Sequence, residues 1–279
     1  MMPGFGHTLA TASGPALFAL GQAGYALRAG GRLVLVDPWL STALERGAGV
    51  SRPAPPALQP DDVEGVDLVC ITHPHDDHLD GETLAAIAAN VPAARFLLPA
   101  TDVSTLTAAG VPAERITGIR PGEPVELAGA RVNAVPAAHR PDPAAFGGYG
   151  FWLDDAGGQR AVGYLIELDG HRVFHAGDTV WWPGLEAAIR ELAPDVAILP
   201  INGRDPLREA QDLWGNLHAE EAAGLAAAAG VDVVVPCHFD GVAGNLGDPE
   251  TFVRALAFHA PEATAHVLHP GDMLGLPAA

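Results

Sequence analysis

Short apolar runs separated by glycine or proline dominate the first part of the chain. Residues 16–20, 23–29 and 32–36 form three such runs, and Gly30-Gly31 separates the last two. Runs of this length between turn residues predict β-strands joined as hairpins. Residues 66–71 are almost continuously apolar, which predicts a buried strand of a sheet covered on both faces.

Predicted strands and helices alternate along the rest of the chain. Helices are expected at 81–89, 102–109, 184–192, 219–229 and 249–258, and strands at 96–98, 115–119, 125–127, 131–135, 161–168, 172–175, 196–200, 231–236 and 265–268. Each half therefore contains hairpins followed by β/α units. We predict an α/β (α+β) fold of two sheets packed face to face with helices outside. No linker divides the chain, so residues 1–279 are expected to form a single domain.

Composition narrows the possible functions. Of the 279 residues, 48% are hydrophobic, and the net charge of −19 argues against a nucleic-acid surface, which needs Lys and Arg. The chain has few basic residues for a membrane surface and no apolar stretch of about 20 residues to span one. The chain start shows no export signal, and Cys70 and Cys237 lie in strand-like runs as reduced thiols. We expect a cytoplasmic protein that binds a small molecule, and we leave homo-oligomerisation open.

Residues suited to metal binding follow the buried run at 66–71. The segment 73–78 holds three histidines and two aspartates within six residues. Imidazole nitrogens and carboxylate oxygens are ligands of zinc, manganese and iron. In an extended segment His73 and His75 point to the same side and can bind one ion together. A turn into the following helix would direct Asp77 and His78 toward a second ion.

Three further apolar runs end in residues of the same kind, namely His139, Asp178 and His238. The expected groups are His73, His75 and His139 for one ion, Asp77, His78 and His238 for the other, and Asp178 as a bridge. A three-histidine site leaves a position for water, which is typical of a catalytic ion. Two ions roughly 3.5–4 Å apart can share a hydroxide. We therefore predict two divalent ions, zinc, manganese or iron, and hydrolysis by a metal-bound hydroxide, with Asp77 and Asp178 as catalytic residues.

The order of these residues resembles that of the metallo-β-lactamase superfamily. Asp37 at a strand end, the segment 73–78, His139, Gly177-Asp178-Thr179 and His238 occur in the family's order. The match runs from residue 21 to about residue 271 and so covers most of the chain. The resemblance implies a four-layer αβ/βα sandwich.

Shorter motifs resemble the branch of that superfamily that contains the ascorbate-6-phosphate lactonases. These motifs are Gly21-Gln22-Ala23-Gly24-Tyr25, Asp37-Pro38-Trp39-Leu40, and the segments 200–205, 215–217 and 239–245. The resemblance implies metal-dependent hydrolysis of a lactone or another carbonyl ester. The expected substrate is a small metabolite, and whether it carries a phosphate is left open. The resemblance also implies a substrate-side role for Asn202, Arg204, Arg208 and Asn216.

Some residues and functions remain open at this point. Asp37 is expected to accept a hydrogen bond from a ligand imidazole and orient it. Whether Trp181 lines the pocket or the core is undecided, as are the roles of Arg140, His218 and His269. The alternatives to lactone hydrolysis are a metal-dependent phosphodiesterase, a thioesterase of the glyoxalase type, and a non-catalytic metal-binding protein. A protein of the last kind would bind metal but turn over no substrate.

Overall fold

A computed structural model describes residues 4–145 and 148–276 of the chain. The strands, in chain order, are β1 (Ala16–Gly21), β2 (Gly24–Ala29), β3 (Arg32–Val36), β4 (Leu68–Cys70), β5 (Arg95–Pro99), β6 (Ile116–Ile119), β7 (Val125–Leu127), β8 (Ala130–Pro136), β9 (Ala138–Pro141), β10 (Tyr149–Phe151), β11 (Val162–Leu168), β12 (His171–His175), β13 (Val196–Pro200), β14 (Val233–Cys237), β15 (Thr264–Ala265) and β16 (Met273–Gly275). The buried strand predicted at 66–71 is thus confirmed as β4.

In the chain, most helices connect consecutive parallel strands. They are α1 (Phe5–Thr11), α2 (Ala43–Ala48), α3 (Gly81–Asn90), α4 (Val103–Ala108), α5 (Leu185–Leu192), α6 (Pro206–Glu209), α7 (Ala219–Ala229) and α8 (Pro249–His259). Asp80 begins α3 by accepting a hydrogen bond from the Thr83 amide, and Gly230 ends α7 in the left-handed conformation. Within the described ranges, no helix is both long and apolar enough to cross a bilayer.

Two seven-stranded sheets form the centre of the fold. Their orders are β16-β1-β2-β3-β4-β5-β6 and β15-β14-β13-β12-β11-β8-β7. In each sheet the early strands pair antiparallel, and the later ones, β3 to β6 and β12 to β15, pair parallel. The predicted pattern of hairpins followed by β/α units is therefore confirmed in both halves.

Alternating side chains of the strands build the layers between sheets and helices. In β1, Leu17 and Ala19 face the other sheet, whereas Phe18 and Leu20 face the helices. The inner cluster fills the space between the sheets, and two outer clusters lie beneath α1, α3 and α4 on one side and α5, α7 and α8 on the other. This arrangement is the predicted four-layer sandwich.

The differences from the prediction concern short elements. The strand expected at 265–268 is only Thr264–Ala265, and β16, the β9–β10 hairpin and the helices α1, α2 and α6 were not predicted. Strands of two to four residues contain too little alternation to be found by pattern. The expected single domain stays a prediction, and its residues 1–3, 146–147 and 277–279 lie outside the described residues. The expected lack of an export signal rests partly on residues 1–3 as well.

Candidate active site

The predicted ligands meet where several central strands end. Asp37 follows β3, the segment 73–78 follows β4, Asp178 follows β12, and His238 follows β14 directly. His139 lies in β9, which begins two residues after β8 ends. The carboxyl ends of strands are where α/β folds place their sites, and here they bring residues of both sheets together.

Two of these strand ends adopt an unusual backbone conformation. Asp37 and His238 have φ angles of 45° and 57°, in the left-handed region that costs a non-glycine residue about 1–3 kcal/mol. Hydrogen bonds fix both residues: the Asp37 amide donates to Cys70 O at 3.0 Å, and the His238 amide donates to Gln22 O at 3.0 Å. Such backbones persist where the surrounding structure determines them, and they concentrate at functional sites.

The first ligand group consists of His73, His75 and His139. His75 Nδ1 lies 3.0 Å from His73 Nε2 and 3.2 Å from His139 Nε2, so the three nitrogens converge. Burial holds the pKa of His73 well below its usual range and lowers the pKa of His139 to about 3. Burial also lowers the pKa of His75. At neutral pH all three imidazoles are therefore neutral, which is the form that binds metal.

The second group consists of Asp77, His78 and His238. Asp77 Oδ2 lies 3.4 Å from His238 Nε2 and 3.8 Å from His78 Nε2. Burial opposes the charged form of both imidazoles, but the Asp178 and Asp77 carboxylates outweigh it. They raise the pKa of His78 well above its usual range and that of His238 to about 9. Without metal, two protonated histidines therefore neutralise the neighbouring carboxylates.

Asp178 touches both groups. Its Oδ1 lies 3.5 Å from His78 Nε2, and its Oδ2 lies 3.6 Å from His139 Nε2 and 3.3 Å from His238 Nε2. Burial would raise the pKa of this carboxyl, but the His238 and His78 cations hold it well below the usual range. The side chain is therefore a buried anion between two sets of imidazoles, in the position predicted for a bridging ligand.

The donor set fits divalent cations. His78 Nε2 and Asp178 Oδ1 are buried, and neither has a hydrogen-bond partner among the described residues. A buried polar atom left unpaired costs about 1–3 kcal/mol. His78 and Asp178 also belong, with His73, to a group whose potential ligand atoms lie within 4.8 Å of one another. A cation at this place would satisfy both atoms and would replace the protons on His78 and His238.

Asp37 lies behind His78, where its predicted role requires it. His78 Nδ1 donates to Asp37 Oδ2 at 2.7 Å, which leaves Nε2 to face Asp178. The Thr72 amide and hydroxyl donate to the same carboxylate at 2.8 Å and 2.6 Å. Because the carboxylate is fully buried and fixed by three donors, it holds the His78 ring in one orientation.

Asn216 and Asn202 form a buried chain that leads to Asp178. Asn216 Nδ2 donates to Asp178 Oδ2 at 2.9 Å and to Asn202 Oδ1 at 3.0 Å. Asn202 Nδ2 in turn donates to Asn245 Oδ1 at 2.9 Å. The structure therefore brings both predicted asparagines to the site: Asn216 contacts the candidate ligand Asp178 directly, and Asn202 is linked to it through Asn216.

Arg204 and Arg208 are bound to protein groups near this chain. Arg204 makes two bonds to the Glu221 carboxylate, at 2.6 Å and 2.7 Å, and also donates to Asn216 O at 2.9 Å. Arg208 pairs with Asp205 and donates to Asn202 O at 2.9 Å. The substrate-side role of Arg204 stays a prediction, but these contacts give the side chain a structural role that the sequence did not reveal.

The residues left open by the sequence lie at the periphery. Arg140 is exposed in β9. His218 is exposed at the start of α7, and its backbone amide donates to Glu221 Oε2 at 2.9 Å. His269 is exposed, with Nδ1 3.9 Å from Asp240 Oδ2. Trp181 packs with the outer apolar cluster beneath α7, which favours a core role.

Sequence reasoning missed three residues at the site. Gln22 is buried, its Nε2 donates to Asp77 Oδ2 at 3.0 Å, and its Oε1 accepts from the Gly241 amide at 3.0 Å. Its signals in the sequence were its place in the motif Gly21-Gln22-Ala23-Gly24-Tyr25 and in the tight turn between two apolar strands, neither of which assigned it a role. The rings of Trp152 and Trp214 lie 5.0 Å and 5.5 Å from the His75 ring. Both tryptophans come from irregular segments, where no periodicity reveals which way a side chain points.

Comparisons with known proteins agree with this geometry. Residues 32–239 match the beta-lactamase superfamily domain. A UPF0173 metal-dependent hydrolase of Aeropyrum pernix is 32% identical over 269 residues, which cover 91% of this chain and 94% of the relative. A probable L-ascorbate-6-phosphate lactonase of Escherichia fergusonii is 30% identical over 84% of this chain and 72% of its own length.

Among solved structures, the metallo hydrolase Igni18 of Ignicoccus hospitalis matches with a TM-score of 0.68 and 25% identity, over 95% of this chain and 99% of its own. The fold and site define a metal-dependent hydrolase. The chain belongs to the metallo-β-lactamase superfamily, so the resemblance seen in its motifs is confirmed.

Proposed function

We propose that the protein is a cytoplasmic enzyme that hydrolyses a lactone or another carbonyl ester of a small molecule with two divalent ions. The observation that carries the proposal is the position of Asp178, whose carboxylate lies within 3.6 Å of imidazoles from both ligand groups. The proposed ligands are His73, His75, His139, Asp178, Asp77, His78 and His238. Zinc, manganese and iron all accept this donor set.

Bound divalent ions would supply a water of pKa about 7 and polarise the carbonyl oxygen of the substrate. His73, His75 and His139 would hold one ion as neutral imidazoles, so no proton would have to leave this group at neutral pH. His78 and His238 would give up their protons on holding the second ion. Asp178 would fix the two positions relative to each other.

Asp77 is the better placed of the two aspartates for moving a proton. Its side chain is 17% exposed, whereas that of Asp178 is 3% exposed, so Asp77 has access to solvent. The contacts of Asp77 with Gln22 and His238 both use Oδ2. We therefore assign proton transfer to Asp77 and the holding of both ions to Asp178.

Asn202 and Asn216 have contacts suited to a supporting role. Their amide chain holds Asp178 Oδ2, and Arg204 holds the backbone of Asn216 while its own charge is paired with Glu221. We propose that these residues orient the bridging carboxylate. Direct substrate binding by Asn202, Arg204 and Asn216 remains the prediction made from the motifs.

The choice of a lactone rests on the motifs shared with the lactonase branch and on the lactonase relative of E. fergusonii. A phosphodiesterase or a glyoxalase-type thioesterase would use the same ions, and so the ligands do not separate these reactions. A metal sensor without turnover is disfavoured because a three-histidine site leaves one coordination position open for water, which is typical of a catalytic ion. The substrate must therefore be tested by activity.

The test compares reaction classes on metal-loaded protein. Metal-stripped protein is reconstituted with Mn²⁺ or Zn²⁺ and assayed with a sugar lactone, bis(4-nitrophenyl) phosphate and an acyl thioester. We expect preferential lactone turnover that is absent in His73→Ala and kept in His259→Ala, which replaces an exposed histidine of α8. Preferential phosphodiester turnover would move the function to the phosphodiesterase alternative, and full activity of His73→Ala would contradict the site.

A further inference from the structure

Two tryptophan rings stand beside the three-histidine group. The Trp152 ring centroid lies 5.0 Å from that of His75, and the Trp214 centroid lies 5.5 Å from His75 and 6.0 Å from His139. The two tryptophans meet edge to face, with centroids 5.5 Å apart and planes at 72°. We call Trp152 and Trp214 the aromatic wall. Both are only partly buried, so the wall offers ring surface directly next to candidate metal ligands.

Polar contacts hold both rings of the wall. The Arg160 guanidinium carbon lies 4.7 Å from the Trp152 ring centroid, and Arg160 is itself paired with Asp102. Trp214 Nε1 donates to Asp212 Oδ1 at 2.8 Å. A surface held in this way loses little conformational freedom when a ligand packs against it, which favours binding.

The chain segments that carry the wall also expose apolar side chains. Leu153 and Leu213, the neighbours of the two tryptophans in the chain, are 44% and 36% exposed. Together with the partly buried rings, they add apolar surface to these segments, and apolar surface next to a site is typical of ligand binding.

Charged groups near the site do not favour a phosphorylated substrate. All basic residues other than histidine are arginines, since the sequence contains no lysine. Arg160, Arg204 and Arg208 are each paired with an acidic side chain. Phosphate recognition uses guanidinium groups that are available for bidentate bonds, and these three are already engaged. Arg140, which is exposed and follows His139 in the chain, is the remaining candidate for binding a substrate phosphate, and the test below includes it.

We propose that the aromatic wall binds an uncharged aromatic or planar apolar part of the substrate, which is therefore an aryl-substituted lactone or ester rather than a phosphorylated one. This inference rests on the proposed function, because the wall acts on a substrate whose carbonyl lies at the ligand groups. Tryptophan rings supply large, stiff contact area and stack edge to face or offset with other rings.

Kinetics with three lactones test the proposal. Manganese-loaded protein is assayed with γ-phenyl-γ-butyrolactone, γ-butyrolactone and 6-phosphogluconolactone. We expect the phenyl lactone to have the highest kcat/KM. Trp214→Ala should lower the ratio of kcat/KM for the phenyl lactone to kcat/KM for γ-butyrolactone by about tenfold or more. Trp181→Phe, outside the wall, should leave the ranking intact. The proposal is overturned if the phosphorylated lactone is preferred and Arg140→Ala removes that preference.

A binding experiment keeps the inference separate from the choice of reaction. Calorimetry on the manganese-loaded protein compares 4-phenylbutyrate with butyrate, as analogues of opened lactones. We expect the phenyl compound to bind at least about tenfold tighter in the wild type and in Trp181→Phe, and equally weakly in Trp214→Ala. If the phenyl compound binds tighter but no lactone is hydrolysed, binding at the aromatic wall is supported and the proposed lactone hydrolysis is wrong. Equal affinities of the two compounds for the wild type, or no binding of either, would contradict the proposal that the aromatic wall binds an aryl group.

Discussion

The two ligand groups of the site differ in charge and in what surrounds them. His73, His75 and His139 have pKa values lowered by burial, and His75 and His139 contact the aromatic wall. His78 and His238 have raised pKa values, because carboxylates surround them. The first group is thus ready for metal as it stands, whereas the second carries protons that a metal must displace.

This difference has a consequence for metal binding. Proton release makes metal affinity depend on pH, and only groups protonated in the metal-free state release protons. We therefore expect the second position to respond to pH near neutrality and the first to respond little. In the structure, Asp77 and His78 of the second group contact Gln22 and Asp37, whereas His75 and His139 of the first group contact the aromatic wall.

The largest effect is expected from removing the residue that both groups share. Asp178→Ala should lose metal at both positions and lower kcat/KM by about a thousandfold or more, as for catalytic groups that act as a unit. Metal analysis and a steady-state assay measure the two losses. Asp76→Ala is the control, since Asp76 is an exposed acid between the candidate ligands. Two tightly bound ions in Asp178→Ala would show that the groups are independent.

Variants of single groups test whether the two positions can be emptied separately. His139→Ala should weaken the first position and His238→Ala the second, each leaving about one ion per chain under dilute metal. Metal analysis after desalting, with circular dichroism as a check on folding, measures the outcome. If either variant loses both ions with the fold intact, the two positions bind metal as one unit. That result would contradict the division into two separate ligand groups.

Removing the charge behind His78 should have a smaller effect. Asp37→Asn keeps the size of the side chain but weakens its hold on the His78 ring, so metal affinity should fall about 10- to 100-fold. Competition with a metal chelator measures this change. Asp67→Asn is a matched control, because Asp67 pairs with Arg32 outside the site. An unchanged affinity in Asp37→Asn would remove Asp37 from the metal site.

The metal-free protein should lose stability as the pH rises. The folded pKa of His238, about 9, lies above the ordinary value of 6.5. Its stabilising contribution is therefore fully present below pH 6.5 and lost as the pH rises to about 9. The whole change should be a few kcal/mol at most, on the order of the shift. Urea unfolding of the metal-free protein at several pH values measures it, and His238→Asn should flatten the decline. A stability that rises over this range would contradict the charge assignment.

Much of the site could be predicted because its candidate ligands follow apolar strands. Buried apolar runs come directly before the segment 73–78, Asp178 and His238. The end of such a run is visible in the sequence as a change from apolar to polar residues. Asp37 was found in the same way. The two-sheet core was equally visible, because the alternation in strands such as β1 assigns successive side chains to opposite layers.

Contacts between distant segments could not be predicted. Glu221 lies in α7, and nothing in the sequence shows that it neutralises Arg204, so the arginine looked available for an anion. Trp152 and Trp214 lie far apart in irregular segments, and their approach to His75 depends on how those segments fold over the site. These contacts follow from tertiary packing, which the pattern of a single sequence does not reveal.

The most direct test of the account is a titration of metal-stripped protein with Mn²⁺ or Zn²⁺, in which bound metal and lactone hydrolysis are measured in the same samples. We predict that hydrolysis appears as metal binds and reaches its plateau at about two ions per chain. Binding of metal without hydrolysis of the lactone, phosphodiester or thioester would contradict the catalytic claim. Hydrolysis that persists in fully stripped protein would contradict the role of the metal site.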